Sequence, residues 1–143
     1  MDNVKELLEF EFNVDDMTGE AIAFAVDKLY GAGALDVYTV DVGMKKSRPG
    51  VLVHITLSEG RREEILRCVF KYTSTIGVRE RKSLGYALNQ RIETKKTSYG
   101  DVRLKISEGY GTVRKKYENA DVQRVAETVG CTLDEAVRII EKE

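Results

Sequence analysis

The stretch LEFEFNVDDMTGEAIAFAVDKL, residues 8–29, contains the pattern that decides the fold. Its first part alternates apolar and polar residues with a period of two, which predicts a half-buried strand. After a polar turn, Ile22, Ala25, Val26 and Leu29 recur at the spacing of an amphipathic helix. Gly31 and Gly33 then supply a C-terminal stop. This segment therefore predicts a strand, a polar turn and a helix.

The next segments extend this unit into a sheet with two helices. Apolar and β-branched residues predict strands over 36–42 and 51–57, joined by a glycine-flanked loop as a hairpin. A second apolar stripe predicts a helix that Ser58 caps and that continues to Tyr72. A fourth strand is predicted over 78–88. The order βαββαβ is that of the ferredoxin-like unit.

The remaining residues predict a smaller α+β piece. A hairpin is expected around residues 98–101, with a short further strand that reaches Val113. One helix is expected from Asp121 and is ended by Gly130, and the capping-box residues 132–135 start a last helix. We expect an α+β chain with a ferredoxin-like domain over 1–88. A small subdomain over 89–143 is expected to pack on it, because so short a piece buries little core of its own.

Composition limits the classes of function. The 143 residues are 42% apolar and 33% charged, a balance typical of a packed globular protein. The net charge of −1 provides no general attraction for nucleic acid or for an anionic membrane. We find no membrane-length apolar run and no signal peptide at the N-terminal residues. Cys68 and Cys131 fit two reduced thiols, so a cytoplasmic protein is expected.

An acidic turn is the first candidate site. Asp15, Asp16 and Glu20 follow the first predicted strand. Grouped carboxylates suit Mg²⁺ or Mn²⁺, which bind oxygen ligands together with substrate phosphates. The alternative is that one aspartate only caps the helix while the others are solvated.

A basic loop is the second candidate site. Lys45, Lys46 and Arg48 lie in the hairpin loop, and both side-chain types match phosphate oxygens. The alternative is an ordinary solvated loop. In a βαββαβ unit we expect this loop and the acidic turn at opposite ends of the sheet. A ligand shared by both would then require subunits to meet, which predicts a homo-oligomer.

Further polar residues could support a phosphate or a sugar. The hydroxyl run 73–75 lies near Arg79, and a second basic run covers 114–116. Tyr99 and Tyr110 lie beside glycines and could stack on a base. The alternatives are that the hydroxyls finish a helix and that the tyrosines contribute packing.

Four blocks of sequence follow one another along the chain: Glu11-x-Asn13-x-Asp15-Asp16-Met17-Thr18-x-Glu20, Gly33-Ala34-Leu35-Asp36-Val37, Met44-Lys45-Lys46-x-Arg48-Pro49-Gly50-Val51 and Thr73-x-Thr75-x-Gly77-Val78-Arg79. In this order they resemble the C-terminal region of the LarC family, the nickel-insertion proteins of nickel-pincer nucleotide cofactor synthesis. The resemblance continues more weakly at Tyr99-Gly100-x-Val102 and around Lys116, Glu118 and Asp121, where Asn119 and Ala120 depart from the family pattern.

The resemblance implies a CTP-dependent cyclometallase of the lyase class. Such a protein inserts nickel, its substrate metal, into pyridinium-3,5-bisthiocarboxylic acid mononucleotide while CTP is cleaved in the presence of Mg²⁺ or Mn²⁺. It further implies trimers or hexamers and a histidine-rich N-terminal region, here expected as a separate nickel-binding chain. By this route Asp15, Asp16 and Glu20 bind the metal. The residues expected to bind the nucleotide are Lys45, Lys46, Arg48, Thr75 and Arg79.

Two other functions stay open at this point. An oligomeric module that senses a small molecule or a nucleotide without catalysis would use the same loops, because a fold does not determine a function. A nucleic-acid-binding module is disfavoured, because the charge is near neutral and the central strands lack the aromatic pattern of RNA-binding sheets.

Overall fold

The computed structural model describes residues 3–143, which form two compact units. One unit spans Val4–Gly85 and the other includes Tyr86–Glu143. Met1 and Asp2 lie outside the described residues. They belong to the N-terminal stretch in which no signal peptide is predicted. The packing of one unit on the other stays a prediction.

The first unit is a four-stranded antiparallel sheet with two helices. Its strands lie in the order β2-β3-β1-β4, the arrangement of the ferredoxin-like fold, so the predicted fold class is confirmed. The elements are β1 (Asn3–Val14), α1 (Gly19–Gly31), β2 (Asp36–Met44), β3 (Arg48–Leu57), α2 (Arg62–Tyr72) and β4 (Arg79–Ala87).

The core of this unit lies on one face of the sheet. Leu8, Phe10 and Phe12 of β1 are each at most 2% exposed, while the residues between them are partly exposed. Leu29 of α1 and Ile65 of α2 pack into the same cluster. The alternation expected for β1 is therefore present. Each large side chain in this cluster contributes roughly 1.5–3 kcal/mol to the free energy of unfolding.

The two helices begin differently. Thr18 is the N-cap of α1, and its hydroxyl accepts a hydrogen bond from Ala21 N at 3.1 Å. The capping by Ser58 predicted for α2 is wrong. Ser58 precedes a short 3₁₀ turn, Glu59–Arg61, and its side chain makes no capping hydrogen bond. The α-helix itself begins only at Arg62, beyond the reach of that hydroxyl.

The second unit is a three-stranded antiparallel sheet with two helices. Val102, Val125 and Ile140 are fully buried in its core. Two predicted helix signals are present: the capping box of Thr132 with Glu135, and the left-handed Gly130 after α3. The elements are β5 (Asn89–Thr97), β6 (Gly100–Gly109), β7 (Thr112–Tyr117), α3 (Asn119–Val129) and α4 (Leu133–Lys142), with strand order β5-β6-β7.

Strand β7 is longer than the sequence suggested. A short strand was expected to reach Val113, but β7 continues to Tyr117 and includes the basic run 114–116. Its pairing with β6 overrides the low strand preference of consecutive lysines. Among residues 3–143, no helix is long and apolar enough to cross a membrane.

Candidate functional site

The acidic turn and the basic loop lie at the same end of the first sheet. β1 and β2 both pair antiparallel with β3, so they run parallel to each other and finish at one edge. In the register, Val14 lies opposite Val51, close to where Met44 pairs with Arg48. The expectation that the two loops occupy opposite ends is wrong, because it overlooked that β1 and β2 share β3 as a partner.

A direct ion pair joins the two loops. The guanidinium Nη1 of Arg48 lies 3.6 Å from Oδ2 of Asp15, with the two side chains 61% and 27% exposed. Thr18, and not an aspartate, caps α1. The alternative in which one aspartate serves as the helix cap is therefore excluded. Because the two loops meet within one subunit, a site that uses both does not require subunits to meet, and the homo-oligomer no longer follows from this geometry.

The segment after α2 contributes a third side of the site. The Ser74 hydroxyl donates a short hydrogen bond to the Asp16 carboxylate. The neighbouring threonines serve the backbone: the Thr73 hydroxyl donates to Val69 O at 2.8 Å, and the Thr75 hydroxyl donates to Gly77 O at 2.9 Å. Thr75, the residue expected to bind the nucleotide, thus closes a turn through Gly77, whereas Ser74 faces the acidic turn.

The beginning of β4 contributes a fourth side. Nη2 of Arg79 lies 3.5 Å from Oδ1 of Asn13 and 3.8 Å from Oε2 of Glu11. Arg81 approaches the same glutamate at 3.5 Å. Glu11 and Asn13 project from the face of β1 opposite to its buried residues. Neither residue was assigned a role from sequence, although both are part of the quoted family block around β1.

The basic loop has an unusual backbone. Lys46 has φ 60° and ψ 29°, and Ser47 has φ 58°, so two consecutive non-glycine residues occupy the left-handed region. Each such residue costs on the order of 1–2 kcal/mol. Non-glycine residues held in this region cluster at ligand-binding sites. Among residues 3–143, no carboxylate lies within 4.0 Å of the ammonium groups of Lys45 or Lys46. The loop therefore presents two unneutralised cations on a strained turn.

Gly50 allows this loop to lie against the end of β1. A Cβ added at Gly50 would lie 2.9 Å from Cγ of Met44 and 3.0 Å from the backbone oxygen of Val14. Both distances are shorter than ordinary van der Waals contacts. A side chain at this position would push the hairpin away from β1. Gly50 thus maintains the spacing between the acidic turn and the basic loop.

The acidic turn supplies carboxylates of the kind that bind a divalent metal together with phosphates. Within residues 3–143 there is no group of three or more His, Cys, Asp or Glu side chains placed to hold a metal ion. Glu20 is exposed in the first turn of α1. Asp15 and Asp16 are consecutive in the acidic turn, and Mg²⁺ is commonly bound by one or two carboxylates plus substrate phosphates. Two carboxylates alone are too few to fill the coordination shell of such a metal.

The sequence-predicted aromatic and second basic residues lie in the other unit. Tyr99 packs against the second core, and Arg124 donates to the backbone oxygens of Tyr99 and Asp101. Tyr110 is 53% exposed in a glycine-flanked turn. The basic run 114–116 lies on β7.

The single histidine is buried outside the site. His54 is 5% exposed and stacks against Tyr38 with ring centroids 4.4 Å apart. Its Nε2 lies 2.9 Å from Oε1 of Glu9, while its Nδ1 has no hydrogen-bond partner among residues 3–143. It makes none of the contacts that join the acidic turn, the basic loop and the segment after α2.

A sequence model of the nickel insertion protein family matches residues 2–137. This chain belongs to that family. The nickel insertion protein for pyridinium-3,5-bisthiocarboxylic acid mononucleotide of Clostridium kluyveri is 32% identical over 97% of this chain and 35% of its own length. The protein of the same description from Desulfitobacterium hafniense is 38% identical over 87% of this chain and 31% of its own length.

Two solved structures share the fold. One is described as LarC2, the C-terminal domain of a cyclometallase involved in the synthesis of the NPN cofactor of lactate racemase, in its apo form. It superposes with a TM-score of 0.85 at 26% identity, covering 99% of this chain and 100% of the other. A protein from Methanopyrus kandleri has a TM-score of 0.76 at 25% identity, covering 93% and 85%. This nickel insertion family chain thus spans about a third of the length of the two curated relatives described above.

Proposed function

We propose that this chain is the nucleotide-binding part of a CTP-dependent cyclometallase, which inserts nickel into pyridinium-3,5-bisthiocarboxylic acid mononucleotide. The observation that carries the proposal is the meeting of the acidic turn, the basic loop and the segment after α2 at one edge of the first sheet. Asp15 contacts Arg48 there, and Asp16 contacts Ser74. Two consecutive aspartates in the acidic turn and the unneutralised cations of the basic loop are the residue types that bind a metal-bound triphosphate.

Different residues of the site would bind different parts of the metal–nucleotide ligand. Lys45, Lys46 and Arg48 bind the triphosphate, because their charges oppose those of the phosphate oxygens. Asp15 and Asp16 would hold Mg²⁺ or Mn²⁺, and Glu20 is the third carboxylate that the family resemblance assigns to the metal. Thr75 and Arg79 would make supporting contacts, and the Ser74 hydroxyl orients Asp16. The cations and the metal would supply the positive charge that stabilises the diphosphate leaving group of CTP.

Ligand binding tests the first half of this proposal. A ligand that binds only the folded chain raises its melting temperature. We expect CTP to raise it more than ATP, GTP or UTP, and Mn²⁺ to increase the effect of CTP. A melting temperature that is unchanged by every nucleotide, with and without Mn²⁺, would overturn the nucleotide-binding assignment.

Turnover tests the second half. The curated relatives are longer than this chain, so we propose that a histidine-rich N-terminal chain or region supplies nickel and completes the enzyme. With that partner, the pincer mononucleotide, Ni²⁺ and Mn²⁺, we expect release of CMP and diphosphate. CTP that binds under these conditions without being cleaved would instead indicate a nucleotide-sensing module.

The oligomeric state is a separate part of the proposal. We propose trimers or hexamers, on the family resemblance alone, since the acidic turn and the basic loop already meet within one subunit. Light scattering coupled to gel filtration measures the mass directly. A monomer at micromolar concentration would remove this part of the proposal and leave the nucleotide site unaffected.

A further inference from the structure

The second sheet has one face covered by helices and one face that carries cations. Val102 and Ile106 of β6 are buried, so the residues that alternate with them, Lys105 and Ser107, lie on the other face. In the register, Lys105 lies directly opposite Lys116 of β7, and Ser107 lies opposite Arg114. Three cations and one hydroxyl therefore occupy two adjacent cross-strand pairs on a single face.

The charges of this face are not balanced. Nζ of Lys105 lies 3.4 Å from Oε1 of Glu118. Within residues 3–143, no carboxylate lies within 4.0 Å of the charged groups of Arg114 or Lys116. The neighbouring Arg103 is neutralised by Asp121 at 2.9 Å. Around Lys105, Arg114 and Lys116, one carboxylate faces three cations, and the chain as a whole is nearly neutral.

This placement is unfavourable in the absence of an anion. Like charges directly opposite each other on neighbouring strands destabilise a sheet. Lys105 and Lys116 form such a pair. A depression of about 500 Å³ over the same strands is lined by Lys105, Ser107, Arg114, Lys115 and Lys116. The volume of the depression is within the range of small-molecule sites, and four of its five lining residues carry a positive charge.

We propose that this cationic face, formed by Lys105, Ser107, Arg114 and Lys116, binds the phosphate group of a small molecule. Arg114 supplies a planar fork for two phosphate oxygens, the lysines supply point charges, and Ser107 donates a hydrogen bond. Four side chains on two cross-strand pairs cover one or two phosphate groups, an area suited to a small ligand and too small for the repeated phosphates of a nucleic acid. The proposal does not depend on the nucleotide site of the first unit.

Amide chemical shifts measured residue by residue test this proposal on the whole chain. Inorganic phosphate, pyrophosphate and CMP are titrated without metal into the ¹⁵N-labelled protein. We expect shifts at residues 105–107 and 114–116 that saturate with each ligand. Equal affinities for CMP and phosphate would assign the face to the phosphate group alone, while tighter binding of CMP would assign it to a mononucleotide.

Charge-matched variants decide where the ligand binds. The double variant Arg114→Gln/Lys116→Gln should weaken binding at this face at least about tenfold. It should not lower the melting temperature, because both side chains are exposed and the change removes the repulsion between Lys116 and Lys105. The matched control is Arg138→Gln/Lys142→Gln, which removes the same charge from α4.

Variants of the first unit separate this site from the proposed nucleotide site. Lys46→Asn/Arg48→Gln should abolish shifts at residues 44–50 and retain those at 105–116. Equal pyrophosphate affinity of the double variant R114Q/K116Q and the wild type at residues 105–116 would overturn the proposal. The proposal would also be overturned if the cationic face bound none of the three phosphate-containing ligands and bound single-stranded RNA in a salt-dependent manner. That result would indicate a nucleic-acid-binding surface instead.

Discussion

The guanidinium of Arg48 lies 3.6 Å from the carboxylate of Asp15, although 32 other residues separate them in the chain. This contact exists because β1 and β2 both pair with β3 and therefore end at the same edge. Arg48 and Asp15 partly neutralise each other. A metal on Asp15 and a phosphate on Arg48 would replace that contact, so the ion pair connects the two halves of the proposed site.

Asp15→Asn tests the metal side of that relationship. The ion pair is largely exposed, so its loss should change the free energy of unfolding by less than about 1 kcal/mol. In the absence of metal, we expect Asp15→Asn to bind CTP at least as tightly as the wild type, because Arg48 is no longer paired with Asp15. The increase in CTP affinity that Mn²⁺ causes should be about tenfold smaller in the variant. CTP titrations with and without Mn²⁺ measure this, with Asp27→Asn on α1 as the charge-matched control. Undiminished dependence on Mn²⁺ would show that Asp15 does not bind the metal.

Lys46→Asn tests the phosphate side. Asparagine tolerates the left-handed conformation that Lys46 adopts, so this change removes the charge and preserves the turn. CTP affinity should fall about tenfold while the melting temperature stays within about 2 °C, since a loop cation contributes little to the core. Lys46→Ala should weaken binding similarly. The control is Lys5→Asn, an exposed lysine near the start of β1 and hence at the far end of the strand. Normal CTP binding by Lys46→Asn would remove the basic loop from the site.

Gly50→Ala tests the spacing between the hairpin and β1. The added methyl group would collide with Met44 and with the backbone oxygen of Val14. Crowding of this kind costs roughly 1–3 kcal/mol of unfolding free energy, and CTP affinity should fall because the basic loop moves. Gly43→Ala is a matched control on the same hairpin, because a Cβ there meets no atom within 4 Å. Denaturant unfolding of both variants provides the comparison, and equal stabilities would show that the contact at Gly50 relaxes without cost.

Asp121 should make the second unit sensitive to acid. Hydrogen bonds from the Arg103 side chain, assisted by the Arg103 backbone N–H, lower the pKa of Asp121. The ionised carboxylate therefore stabilises the fold above its unfolded pKa of about 3.9. This contribution is lost as the pH falls through the lower folded pKa.

Asp121→Ala measures that contribution. At pH 7 it should lower the free energy of unfolding by about 1–3 kcal/mol, because it leaves Arg103 without its partner. The difference from the wild type should shrink below about pH 4. Glu127→Ala, at an exposed position of the same helix, should change stability by less than about 0.5 kcal/mol at either pH. A wild-type advantage that persists undiminished at pH 2 would exclude a charge-dependent origin.

The two cysteines should differ in reactivity. Burial raises the pKa of the Cys68 thiol, so little thiolate forms there near neutral pH. Cys131 is partly exposed next to the start of α4. At pH 8, iodoacetamide should modify Cys131 in the native protein at least about tenfold faster than Cys68, as mass spectrometry of the digested protein will show. Comparable rates would indicate that α2 opens readily.

The sequence by itself determined the elements and their order. Apolar residues at period two along β1 and at helical spacing along α1 and α2 are local patterns, and each depends only on which face of one element is buried. The capping box at Thr132 and the glycine after α3 are equally local. For the same reason the sequence alone was enough to name the acidic turn and the basic loop as candidate segments.

Only the tertiary structure decided which of these segments meet. Contacts such as Asp15 with Arg48 and Asp16 with Ser74 depend on strand partners distant in sequence, which no local pattern specifies. Pairing with β3 placed the two loops at one edge, and pairing with β6 made the basic run 114–116 part of β7. The choice of Thr18 over the aspartates as helix cap was likewise made by backbone geometry, because several residues there could accept that hydrogen bond.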